Sequence, residues 1–178
     1  MKGAKAATLL NLAILIASWV IGARYYTLLP DRIPIHYDLS GQANGWASKS
    51  FWSVFIVPLA QTFLALLFAL LSRYPQYSNI PTTIALEALQ PEVRECVYAV
   101  VRKMLSLICA AVNAFMLILY AQMLRAAVDP QPQLDTRWLI ILTIGLALLI
   151  TISTVRAFRA MRRIVKAAQD HVEGGTGR

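Results

Sequence analysis

The stretch LPDRIPIHYDLSGQANGWASK, from Leu29 to Lys49, decides how this chain is read. It is a polar island of prolines, glycines, a histidine and carboxylates. Before it the chain is apolar from Ala6 to about Leu29, with Arg24 near the end as the one charge, and after it the chain is uncharged from Phe51 to Leu71. A helix needs about 20 apolar residues to cross roughly 30 Å of hydrocarbon. Both flanks meet that length, so the island reads as a loop joining two transmembrane helices.

Two more uncharged runs follow, Met104 to Leu124 and Trp138 to Val155. Hydrophobic residues make up 58% of the 178-residue chain and charged residues 15%, against about 45–50% and about 25% in soluble domains. The excess sits in the four runs, which excludes a large soluble core. The fold expected is an all-α polytopic membrane protein of four transmembrane helices, with an ordered extracytoplasmic loop between the first two. Lys2 and Lys5 ahead of the first run would also suit a signal peptide, but the run is read as a retained span. Residues 1–80 form a two-span unit. Residues 81–178 hold a cytoplasmic helical extension, the last two spans and a basic tail, and the whole is expected to fold as one compact unit.

Basic residues set the orientation, because cytoplasmic loops carry the excess of lysine and arginine. With both termini cytoplasmic, twelve of the 17 basic residues lie inside and five outside. Tyr25, Tyr26, Trp46, Phe51, Trp52, Tyr120 and Trp138 then gather near the outer interface as an aromatic belt. The location expected is the cell membrane, with the Leu29–Lys49 loop on the extracytoplasmic side.

The net charge of +8 comes largely from Arg156, Arg159, Arg162, Arg163 and Lys166, just past the fourth run. Interleaved with Val155, Phe158, Met161, Ile164 and Val165, they suit an amphipathic helix lying on anionic lipid. A topogenic, lipid-facing tail accounts for these charges without a nucleic-acid partner. The tail from Glu173 onward is expected to fray.

Between the second and third runs, Arg73 to Pro81 reads as extended or turn-like, since each proline biases its predecessor away from helix. Pro91 suits the first position of a new helix, with Glu92 at its positive dipole end. One long helix is expected from Pro91 through the third span. Cys96 and Cys109 then lie about 20 Å apart by helical rise, beyond the reach of a disulfide. Asn11, Gln61 and Asn113 within the spans read as interhelical hydrogen-bond glue.

In the loop, Pro30 and Pro34 hold the chain extended, while Gly41 and Asn44-Gly45 are turn elements. Trp46 is expected against the ends of the spans, with Lys49 near the interface. His36 and Asp38 are two candidate metal ligands, with Asp31 or Asn44 as a third donor. Alternate residues of an extended segment face one side, but zinc sites take three or four protein ligands. The competing reading, which is preferred, has His36 bonded to a loop carbonyl and Asp38 capping the Ser40-Gly41 turn. No nucleophile elbow, His-Glu-x-x-His, phosphate loop or dinucleotide fingerprint is present in the sequence. No enzyme activity and no cofactor is therefore expected.

Leu29, Pro30, Ile33, Pro34, His36, Tyr37, Asp38, Gly41, Asn44, Gly45, Trp46 and Lys49 together resemble the signature of a bacterial and archaeal domain-of-unknown-function family, the SdpI-like membrane proteins. The resemblance covers roughly the first 80 residues, two spans and their loop. It implies a small membrane protein whose outer loop engages an external peptide or other ligand, in an immunity or sensing role. The alternatives are an accessory subunit docked to a membrane protein partner, or a small transporter. In each case the lipid bilayer is the common partner.

Overall fold

In the computed structural model, the structure describes residues 2–77 and 89–175, with side chains for residues 6–76 and 89–170. The described residues form four α-helices: α1 (Lys2–Tyr26), α2 (Phe51–Arg73), α3 (Pro91–Ala127) and α4 (Thr136–Gly175). All four are long and apolar enough to cross a membrane. The protein is thus a four-helix, multi-pass membrane protein. Between α1 and α2 the polar island folds as a small antiparallel hairpin, β1 (Arg32–Tyr37) and β2 (Ala43–Ser48). A short 3-10 turn, Pro75–Tyr77, follows α2. The rest of the stretch expected to be turn-like, residues 78–81, lies outside the described residues.

Local chemistry sets the helix ends. Ser50 caps α2: its hydroxyl accepts from the Ser53 amide at 3.1 Å, and the Ser50 amide donates back to Ser53 Oγ at 2.9 Å, a reciprocal capping box. Helix α3 opens on Pro91 with Glu92 in its first turn, as expected. At 37 residues it is about 55 Å long, far more than one bilayer crossing.

Helices α1, α2 and α3 pack on one another, and α4 packs chiefly on α3. The core has two parts. At the hairpin end, Leu29, Ile33, Val54, Phe55, Tyr120, Leu124 and Ala127 form one buried cluster. Phe55 stacks with Trp19 at 5.4 Å, Phe51 at 4.9 Å and Tyr26 at 6.0 Å between ring centroids. At the other end, Val97 and Val101 of α3 meet Met161 and Val165 of α4.

That second cluster corrects the expectation for the basic tail. Met161 and Val165 were expected on lipid, yet they are buried against α3. A 40-residue α4 is about 60 Å long, so its apolar stripe runs on beside the equally overlong α3 and is covered there. Arg156, Arg159, Arg162, Arg163 and Lys166 stay exposed along the opposite side. The helix also continues to Gly175, past the point where it was expected to fray.

Tyr120 is the second correction. It was placed in an interfacial belt, but it is buried and its hydroxyl donates to the Val54 carbonyl at 3.0 Å. The reason lies in α2. Pro58 sits inside that helix and has no amide hydrogen, so Val54 loses its partner four residues on. Tyr120 supplies the missing donor from α3. On α1, Gly22 makes room: a Cβ there would lie 2.5 Å from the Tyr120 hydroxyl oxygen.

Deeper in the bundle, Gln61 Nε2 donates to the Asn113 carbonyl at 2.8 Å, and Asn113 Nδ2 donates to Asn11 Oδ1 at 3.1 Å. These amides tie α2 to α3 and α3 to α1. Cys96 is exposed and Cys109 buried, both free.

Candidate functional site

The hairpin is the chemistry-bearing part of the chain, and its turn is built from one carboxylate. Asp38 Oδ1 accepts from the Ser40 amide at 2.8 Å, the Ser40 hydroxyl at 2.7 Å and the Gln42 amide at 3.0 Å. The backbone closes the same loop, with the Gly41 amide donating to the Asp38 carbonyl at 3.0 Å and the Asp38 amide to the Gln42 carbonyl at 2.9 Å. Gly41 has φ +87°, which suits the left-handed last position of a three-residue hairpin loop. The Ser40 hydroxyl and the surrounding amides lower the Asp38 carboxyl below its ordinary value.

Asn44-Gly45 is not the turn. Both residues lie within β2, where Gly45 pairs with His36 and Ala43 with Tyr37. The register shifts on either side of His36, leaving Ile35 and Asn44 as unpaired bulge residues. The bulge aims Asn44 at the imidazole: His36 Nδ1 and Asn44 Oδ1 lie 2.5 Å apart. Gly45 is required by space, since a Cβ there would come 2.7 Å from the His36 Cβ. The glycine expected to bend the chain instead admits a neighbour.

The base of the hairpin is stitched to the helices. Lys49 Nζ donates to the Leu29 carbonyl at 2.8 Å and lies 5.8 Å from the Tyr26 ring centroid. The Lys49 amide donates to the Asp31 carbonyl at 2.7 Å. Pro34 pairs with Trp46 across the strands, and Trp46 remains 43% exposed. Pro30 is exposed beside the buried Leu29. Burial pushes the Tyr37 phenol up to about 12. Among the described residues no three of His, Cys, Asp and Glu converge as a metal group, and His36 and Asp38 bond to separate partners.

The α3–α4 connection supplies what sequence reasoning missed. The Leu134 amide donates to the Gly41 carbonyl at 2.8 Å and the Ala43 amide to the Pro132 carbonyl at 3.4 Å, with Gln42 bridged to Gln133. The hairpin turn is thus held against residues 132–134 by backbone bonds, and the two connections form one cap. A Cβ on Gly41 would lie 2.2 Å from the Leu134 carbonyl oxygen, so close docking adds to the demand for glycine. The available signal was the Asp129-Pro130-Gln131-Pro132-Gln133-Leu134-Asp135 run, a second proline-and-carboxylate island. Beside the cap, a cleft of about 650 Å³ opens between α3 and α4.

No curated protein and no solved structure matches this chain. Residues 13–62, which span most of α1, the hairpin and the first half of α2, match the family described as Domain of unknown function (DUF1648).

Proposed function

We infer that this chain is a small SdpI-like membrane protein that binds an external peptide or other ligand through its hairpin cap, with both termini cytoplasmic. One observation carries the reading. The turn that displays Leu39, 100% exposed, is held by Asp38 beneath it and by residues 132–134 beside it. A linker between two spans has no need of such bracing, whereas a recognition loop gains affinity from being ordered before it binds. In this reading Leu39, Ser40 and Ile35 form the contact surface, and His36, Asp38, Gly41, Asn44 and Gly45 hold its shape. Lys49 anchors it to the end of α1 through the Leu29 carbonyl and the Tyr26 ring.

A second reading, an accessory subunit of a larger membrane complex, draws on α4. Trp138, Ile141, Ile144, Leu148 and Ile152 are exposed along its spanning half, a face that lipid or a partner helix could cover. Photo-crosslinking in intact cells separates the two. A photoreactive residue replacing Leu39 should capture a partner, and one replacing Ile144 should capture lipid alone. Protein adducts at Ile144 with none at Leu39 would replace the first reading by the second.

A further inference from the structure

We propose that the α3–α4 cleft is a binding site for a phospholipid whose headgroup carries a phosphate and a primary ammonium, such as phosphatidylethanolamine. The walls are two helical stripes. Ile118, Gln122, Arg125 and Asp129 line it from the α3 side, and Trp138 and Leu142 from α4. These spacings of three and four residues keep each set on one face. Gly145 continues the α4 stripe three residues on, and a Cβ there would meet nothing within 4 Å. The α4 wall thus stays unobstructed toward the middle of the spans, where an acyl chain can lie along it.

Its polarity changes with depth in the order of a lipid. Ile118 and Leu142 lie inside the spanning segments and suit acyl chains. Arg125 stands nearer the end of α3, at the depth of a phosphate. Asp129 and Asp135 form the rim, where the ammonium would sit. None of these three charged side chains is in an ion pair among the described residues. Asp129 Oδ1 accepts from the Gln131 amide at 2.9 Å and Asp135 Oδ1 from the Arg137 amide at 3.1 Å, which leaves one oxygen of each carboxylate for a ligand. One guanidinium beneath two carboxylates complements a zwitterion and repels a purely anionic headgroup. A primary ammonium donates hydrogen bonds to carboxylates, which a quaternary ammonium cannot. Trp138 at the mouth is the residue type of a membrane interface.

The test is native mass spectrometry of the full chain released from nanodiscs of equal phosphatidylethanolamine, phosphatidylglycerol and phosphatidylcholine. Retained lipid should be enriched in phosphatidylethanolamine by about ten-fold, the scale of one or two charge-assisted contacts. Arg125→Ala, and separately the pair Asp129→Asn with Asp135→Asn, should abolish that enrichment, while Arg125→Lys keeps part of it. Helicity and melting temperature are followed for each variant. Leu39→Ser, which changes the exposed tip of the cap, should leave the enrichment intact, so failure of the cap reading and failure of this one are distinct. Equal retention of the three lipids, preference for phosphatidylglycerol, an enrichment indifferent to all of these substitutions, or a lipid-free dimer would each overturn the proposal.

Discussion

At the scale of single residues, a hydrogen bond broken in one helix is answered by a side chain from another. Pro58 removes the donor to the Val54 carbonyl, and Tyr120 restores it at 3.0 Å. Tyr120→Phe should therefore lower stability by about 1–3 kcal/mol, the usual cost of orphaning a buried polar partner. Reversible unfolding in detergent measures it, and restoring an amide with Pro58→Ala should make the tyrosine hydroxyl nearly dispensable. Asp38 works on the same principle in water. Its carboxylate is held below the ordinary value because the charged form accepts from Ser40 and Gln42. A lowered carboxyl stabilises the fold above its unfolded value, and that contribution is lost as pH falls through the folded value. Protection of the Ser40 and Gln42 amides, taken relative to their intrinsic exchange rates, should be retained near neutrality and be lost on acidification below about pH 4, the ordinary aspartate range. In Asp38→Asn that protection should be low throughout and lack the acid dependence.

At the scale of elements, the hairpin keeps its shape through its bulges. Ile33 ties β1 into the core formed by α2 and α3, while Asn44 and His36 close the strands above it. Gly45→Ala would drive a Cβ into His36. Hairpin amides should lose exchange protection while the helices keep theirs, and adding His36→Gly, which removes the clashing Cβ, should recover part of the loss. Recovery absent from the double variant would place the need for glycine elsewhere. Helix α4 shows how an element can change neighbours along its length. Its first half is exposed on most sides, and its second half buries Ala157, Met161 and Val165. The same periodicity that reads as lipid-binding in isolation becomes a helix–helix seam once a second overlong helix runs alongside it.

At the scale of the whole molecule, the hairpin cap and the α3–α4 extension stand at opposite ends of the spans, and the proposed orientation, with the cap outside, is open to a direct test. After removal of Cys96 and Cys109, a cysteine at Ser40 should label in intact cells with an impermeant reagent, and one at Gly174 should label only after lysis. The reverse pattern would invert the orientation.

Four spans, their approximate limits and the start of α3 at Pro91 were legible in the sequence because length, hydropathy and proline placement act locally. The hairpin turn was half legible: Asp38 and Gly41 carry recognisable turn chemistry, but Asn44-Gly45 carries the same signal with a different cause. What Gly45 does depends on His36 lying across the strand, a relation that arises only in the bulged pairing. Tyr120, Pro58 and Gly22 are unremarkable in a hydropathy profile and become one contact when three helices converge. The docking of Gly41 on Leu134 joins residues separated by two spans. Such contacts follow from packing and chain closure, so only the tertiary structure could decide them.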